Sequence, residues 1–294
     1  MSESKKYIVI GSGKLTVQIA EYLKSKNLSP VVYEKQIAEA SSVRRMCEKK
    51  KIPYESMDSA KMTERLMKDL SEHRIFVFSA INTYIFPKKV IEHENFKGIN
   101  YHNALLPYHR GMNAEAWAIY YMDSVTGITW HRIRPAIDEG EILIQKKITL
   151  DENMTSLKLL KKQSDLAYEA FLEIIPQLLS DDKISSINQK NIENSVMHRI
   201  KDVPNHGFLN TKWNFRKMSA FLRAMDYGIL NTLTKPHIRL HSCVYEWDRY
   251  KIEKASKAEQ DSVEIKENNI IISKKGIDER IILVNSHLYE KSAT

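Results

Sequence analysis

Asn100 and His102 stand two residues apart at the start of the segment NYHNALLPYHRG, and Asp138 follows in AIDEG, residues 136–140. On a strand, a spacing of two sends both side chains to one face. An amide donates hydrogen bonds to a developing oxyanion. An imidazole works near neutral pH as acid or base, or as an oxyanion donor when protonated. A carboxylate orients and charge-stabilises that imidazole, or relays a proton through water. Amide, imidazole and carboxylate without a nucleophile suit acyl transfer to an amine through a tetrahedral intermediate, with no covalent enzyme intermediate. Taken singly, a strand Asn or His is more often structural.

The elements that must position these groups follow from the hydrophobic pattern. Tyr7 to Ile10 is an apolar run that ends at Gly11-Ser12-Gly13, and Leu15, Ile19 and Leu23 then recur at helical spacing. This predicts strand, tight turn and helix. PVVY at 30–33, IFVFS at 75–79 and GINY at 98–101 read as further strands. Helices are expected over 43–50, around Met62, Leu66 and Leu70, and from Pro87, a residue suited to a first turn. The alternation predicts an α/β fold with a Rossmann-like open, mostly parallel sheet. Ala114 to Tyr121 then reads as a helix, Gly127 to Ile133 and Glu141 to Leu150 as strands, and residues 155–179 as a long helix. The expected organisation is a catalytic domain over 1–182, a linker over 183–204, and a small helix-plus-β domain, an OB-like barrel, over 205–294.

Composition bounds the class. Of 294 residues 43% are hydrophobic, the normal share for a chain with a buried core. Two cysteines with no CxxC exclude a disulfide scaffold and a cysteine-rich zinc site, so a reducing, cytoplasmic setting and no metal are expected. No apolar run reaches the length of a membrane span, and the N-terminal segment lacks the long apolar region of a signal peptide. The net charge of +8 is uneven. Residues 1–100 carry 18 basic against 12 acidic side chains, whereas residues 101–150 carry five of each. The excess suits an acidic partner such as tRNA, an acidic carrier protein or a phosphorylated metabolite; general solubility explains it equally well.

GSGKLT at 11–16 begins like a dinucleotide loop, and Glu34 at the end of the second strand is placed for a ribose. That is the alternative reading, an NAD-dependent oxidoreductase. The third position is Thr16 where the fingerprint has glycine, so the two glycines read better as a plain strand-to-helix turn. A nucleic-acid-binding module is a third class.

The motifs resemble those of the folate-dependent formyltransferase family. The signature is carried by Asn100-Tyr101-His102, Ala104-Leu105-Leu106-Pro107, Arg110-Gly111 and Ile137-Asp138-Glu139-Gly140. SAINTYIFP at 79–87 is similar to the family's folate-binding strand and loop, and FLNTKWNFRKMSAFLRAMDYG at 208–228 to its hinge helix. The resemblance implies 10-formyltetrahydrofolate as donor and an N-formyltransferase activity. It implies Asn100, His102 and Asp138 as catalytic, and Thr83, Ile85, Leu105, Gly111 and Ile137 as the folate-binding surface. His109, Arg110 and His131 are expected to face the acceptor; a solvated loop for the first two and a strand histidine turned away for the third are the plain readings.

The acceptor follows less directly. Initiator-tRNA members read LLPRWRGAAPI, where this chain has Tyr108-His109 and Met112-Asn113-Ala114-Glu115. RGMNAEAWAI and GITWH look closer to the formylation domains of peptide-synthetase assembly lines. The resemblance therefore implies an aminoacyl-type amine on a carrier protein or tRNA, with a nucleotide-linked amino sugar as the alternative.

Overall fold

In the structure, a computed structural model, the residues described are 4–35, 41–180, 184–189, 195–230 and 232–291. The N-terminal half alternates as expected: β1 (Lys5–Gly11), α1 (Gly13–Ser25), β2 (Pro30–Lys35), α2 (Ser42–Lys50), β3 (Tyr54–Met57), α3 (Ser59–Glu72), β4 (Arg74–Ala80), α4 (Lys88–Ile91) and β5 (Phe96–His102). Then come β6 (Arg110–Gly111), α5 (Ala114–Tyr121), β7 (Val125–Arg132), β8 (Ile142–Thr149), α6 (Ser156–Leu179) and β9 (Met197–His198). The C-terminal part holds β10 (Phe208–Leu209), α7 (Phe215–Met225), β11 (His237–Leu240), β12 (Cys243–Glu246), β13 (Arg249–Lys254), β14 (Ser262–Lys266), β15 (Asn269–Ser273), β16 (Glu279–Val284) and β17 (His287–Lys291).

The chain divides into two units. One comprises residues 1–111, 127–148 and 162–197; the other comprises 112–126, 149–161 and 198–294. The first unit is built on a seven-stranded sheet in the order β3-β2-β1-β4-β5-β7-β8. β1 runs parallel to β2 and β4, and β4 parallel to β5, while β7 runs antiparallel to β5. The apolar run in β1 is continuous because both faces are covered. Ile8 and Ile10 pack with Tyr33, Met62, Leu66 and Val77. Val9, between them in sequence, turns to the other face with Leu15, Ile19, Phe78 and Phe171. Short polar residues start the helices: Ser41 Oγ accepts from Arg44 N at 3.2 Å, and Asp58 Oδ1 from Lys61 N at 2.8 Å.

The register brings three strand ends level. Gly11 lies opposite Ala80, and Ser79 opposite Asn100. In an open α/β sheet the carboxyl edge beside the point where strand order reverses is where ligands bind. Here that point lies between β1 and β4.

The first turn is a packing device. A Cβ on Gly11 would lie 1.7 Å from the Ala80 carbonyl oxygen. Thr16 Oγ1 donates to that same oxygen at 3.0 Å, and Ser12 N to the carbonyl of Ile81 at 3.2 Å. Glu34, the acid a dinucleotide would need, is buried and accepts hydroxyl bonds from Ser41 and Tyr54. The carboxylate is thereby satisfied internally.

The second unit has two four-stranded sheets, β10-β11-β12-β17 and β13-β16-β15-β14. Met218, Phe221 and Leu222 of α7 pack with Ile238, Trp247, Ile270 and Ile281. Tyr120 of α5 joins this core beside Trp213 and Phe221. The expected linker over 183–204 falls partly on residues 183 and 190–194, outside the described residues. Among the described residues no helix is long and apolar enough to cross a membrane.

Because the Gly11 site is closed by a backbone oxygen, Gly11→Ala is expected to cost at least about 2 kcal/mol of stability, as close-packed backbone positions do. Urea unfolding followed by circular dichroism measures it; a loss below about 0.5 kcal/mol, typical of a tolerant surface site, contradicts the packing argument.

Candidate active site

The antiparallel pairing of β5 with β7 sets the site. Asn100 lies directly opposite His131, and His102 opposite Thr129, so the two side chains of Asn-x-His share a face with His131. Asp138 enters from the loop after β7, in a left-handed conformation with φ of 57°. That loop is pinned on both sides of the carboxylate. Gln189 Nε2 donates to the carbonyls of Asp138 and Gly140 at 2.7 and 2.8 Å. A Cβ on Gly140 would meet the Arg132 carbonyl oxygen at 1.8 Å, so only glycine lets the loop return against β7.

Four side chains form one connected array. Asn100 Nδ2 lies 3.1 Å from His131 Nε2. His131 Nε2 lies 3.5 Å from Asp138 Oδ1, and His102 Nδ1 lies 3.6 Å from Asp138 Oδ2. Gly111 N donates to Asp138 Oδ2 at 2.8 Å. The outer imidazole nitrogens are tied to backbone: His102 Nε2 donates to the His109 carbonyl and His131 Nδ1 to the Arg132 carbonyl, each at 2.9 Å. His102 and His131 are 4% and 2% exposed.

Burial governs the protonation of the pair. It pushes the proton affinity of His102 down, and the facing Asp138 only partly restores it. Burial alone would push Asp138 up, but the His102 and His131 imidazoles and the Gly111 N–H outweigh it. The carboxyl therefore stays ionised, well below the usual carboxylate range.

Leu105 is half-buried in the loop after β5, with its side chain where a Cβ on Gly127 would go. That loop is braced by Thr129, whose hydroxyl donates to the Ala104 carbonyl at 2.7 Å and accepts from Leu106 N at 3.1 Å. Thr83 and Ile85 are exposed on the loop after β4, next in register to Asn100, and Ile137 is exposed beside Asp138. Ile81, on the same loop, holds φ of 55°, a strained position for a β-branched residue. His109 meets the array through its backbone. Arg110 is buried and paired with Glu139; with Gly111 N on Asp138, this clips residues 110–111 to residues 138–139.

The structure adds groups that the motif reading did not single out. His131, named from the sequence, is hydrogen-bonded to Asn100 within the array. Gln189, Thr129 and Glu139 hold the loops. A pair of facing strands was the available signal for His131; Gln189 sits in a polar stretch whose pattern carries none.

A known family stands behind this geometry. Over nearly the whole chain the fold is that of solved formyltransferases. WlaRD, a sugar 3N-formyl transferase solved in the presence of dTDP and 5-N-formyl-THF, superposes with a TM-score of 0.70 at 20% identity, covering 97% of this chain and 98% of that one. The N-formyltransferase from Helicobacter canadensis, solved with folinic acid and dTDP-3-aminofucose, gives 0.73 at 17%, covering 97% and 100%. At such identities the likeness concerns the fold. The sequence goes further: the family model described as formyl transferase matches residues 5–175, and the chain belongs to that family. Relatives include the GDP-perosamine N-formyltransferase of Brucella melitensis, 28% identical over 49% of this chain and 53% of that protein. The methionyl-tRNA formyltransferase of Prochlorococcus marinus is 30% identical over 56% of this chain and 48% of that protein. The matched region thus spans about half the length of these relatives.

The buried His102 gives a pH test. An unfolded histidine takes up a proton near pH 6.5, while folded His102 does so only at lower pH. Stability therefore falls as pH drops below that value, by at most about 1.4 kcal/mol per unit. Asp138, depressed, loses its contribution only further down, below about pH 4. Between pH 7 and pH 5 the wild-type chain is expected to lose more stability than His102→Gln in urea unfolding. Equal losses would show that His102 is not held neutral.

Proposed function

We propose that the chain moves a formyl group from 10-formyltetrahydrofolate to a primary amine. The observation that carries this reading is the array of Asn100 and Asp138 with the buried His131 and His102 at the carboxyl edge of the sheet, in a chain of the formyl transferase family. The donor supplies the formyl group when bound. The exposed apolar side chains of Ile85 and Ile137, with Thr83, Leu105 and Gly111, suit an aromatic, hydrogen-bonding ligand and are the proposed folate surface.

The Asn100 amide has a second N–H beyond the one that faces His131, and it is the proposed donor to the formyl oxygen as that oxygen gains charge. His102 joins it by exchanging its Nε2–H from the His109 carbonyl to the same oxygen. Asp138, held ionised, is a weak base in itself. Its proposed part is electrostatic: it would let His102 carry positive charge and would guide the proton that leaves the attacking amine toward the donor nitrogen, which needs it as its bond to the formyl carbon breaks.

Two acceptor classes have separate support. The full-length likeness to two sugar N-formyltransferases supports a nucleotide-linked amino sugar. The partial likeness to methionyl-tRNA formyltransferase supports an aminoacyl amine, carried on tRNA or on a carrier protein. We propose the amino sugar as the first acceptor to test. Residues 1–182 are the proposed catalytic domain, 183–204 the linker and 205–294 a small barrel-like domain. The two free cysteines suit a cytoplasmic setting.

The test is a formylation screen with dTDP-3-aminofucose, methionyl-tRNA and an aminoacyl carrier protein, reading tetrahydrofolate release and product mass. Turnover is expected with one class. Asn100→Ala, His102→Ala and Asp138→Ala should each lower it by about 100-fold or more, the usual loss for an oxyanion donor or its partner. Near-full turnover in all three variants overturns the assignment.

A further inference from the structure

We propose that His131 is a positioning residue that fixes which face of the Asn100 amide points at the reacting oxygen. The inference rests on the formyl-transfer reading for its catalytic consequence but not for its structural content.

A carboxamide is nearly symmetric in shape, and its terminal torsion is broad and roughly two-fold. Packing alone therefore barely distinguishes the N–H face of Asn100 from its oxygen face. The choice matters, because an N–H stabilises a developing oxyanion whereas a carbonyl oxygen repels it. Only a hydrogen-bond partner of defined polarity can decide.

His131 is such a partner. The antiparallel register sets it directly opposite Asn100, so the backbone guarantees the encounter. Its Nδ1 donates to the Arg132 carbonyl at 2.9 Å, which places the proton on that nitrogen in the neutral ring. Nε2 is then a lone pair, 3.1 Å from Asn100 Nδ2. It accepts one amide N–H and leaves the other directed away. An amide turned the other way would set two lone pairs against each other in a site where His131 is 2% exposed and water does not substitute. The other groups facing His131 are Asp138 Oδ1 at 3.5 Å and, across that carboxylate, His102. Asp138 draws its firm donor from Gly111 N, at 2.8 Å, and so does not require a proton on His131 Nε2.

Two measurements test this. In the intact chain labelled with 15N-histidine, long-range 1H–15N spectra at pH 8 should show His131, assigned by its loss in His131→Gln, as the tautomer with the proton on Nδ1. A proton on Nε2 overturns the proposal whatever the activity. In turnover assays with the acceptor found active, His131→Leu should lower kcat by about 10-fold or more, a part of what a lost oxyanion donor costs, with the donor KM within about 2-fold. His131→Gln, which offers an oxygen acceptor, should recover part of that loss. Asn100→Ala with His131→Leu should be no slower than Asn100→Ala alone, because both act through one amide. Additive losses, or wild-type kcat in His131→Leu with its folding verified by circular dichroism, overturn it. If wild type transfers no formyl group to any acceptor, the formyl-transfer reading fails and the spectra still decide the tautomer.

Discussion

A carboxylate taken out of water must be met by donors, or the fold bears several kcal/mol for it. Asp138 is that carboxylate, and the elements around it are arranged to meet it. Gly111 N donates to it from the short β6, and the His102 and His131 rings face it from the end of β5 and from β7. The loop that carries Asp138 returns against β7 only because Gly140 has no side chain, and Gln189 ties it down on the far side. Each of these contacts serves the electrostatics of one group. Together they force three separate chain segments into register at one sheet edge.

The same requirement explains why the two imidazoles differ. Both face the carboxylate at about equal distance, yet each has its far nitrogen on a backbone carbonyl of different placement. His102 donates from Nε2 to the loop carbonyl of His109, which leaves Nδ1 toward Asp138. His131 donates from Nδ1 to its own neighbour, which leaves Nε2 toward both Asn100 and Asp138. Which nitrogen carries the proton is thus set by backbone geometry outside the array, as second-layer contacts commonly do.

Much of this was legible from the sequence where periodicity or motif spacing is strong. β1 and α1 follow from Tyr7–Ile10 and the Leu15, Ile19, Leu23 stripe, and Asn100, His102 and Asp138 were legible as a set because i and i+2 share a strand face. β3 was not legible: YESM buries only Met57, since a strand at the sheet edge needs no apolar face. IRLHSCVYEW, at 238–247, is divided between β11 and β12 by a turn at His241 with φ of 54°. Gln189 and Glu139 act through loop contacts that no periodicity encodes. His131 was visible as a residue, but its role depends on the β5–β7 register, a long-range fact.

The separation of charge from chemistry then has a structural reason. Of the five cations in residues 101–150, Arg110 is paired with Glu139, Arg134 with Glu141 and Lys146 with Glu173. Arg110 is the most enclosed of the three, while the Arg134 and Lys146 pairs are part-exposed. An acceptor that carries phosphate meets, on the proposed reading, a charge-balanced window in residues 101–150 and a basic excess in residues 1–100. On the proposed reading, the catalytic edge responds only to the amine and the formyl carbon, which are common to all the acceptor classes. Acceptor identity is then left to residues outside the array, and this is why motifs that define the reaction leave the acceptor open.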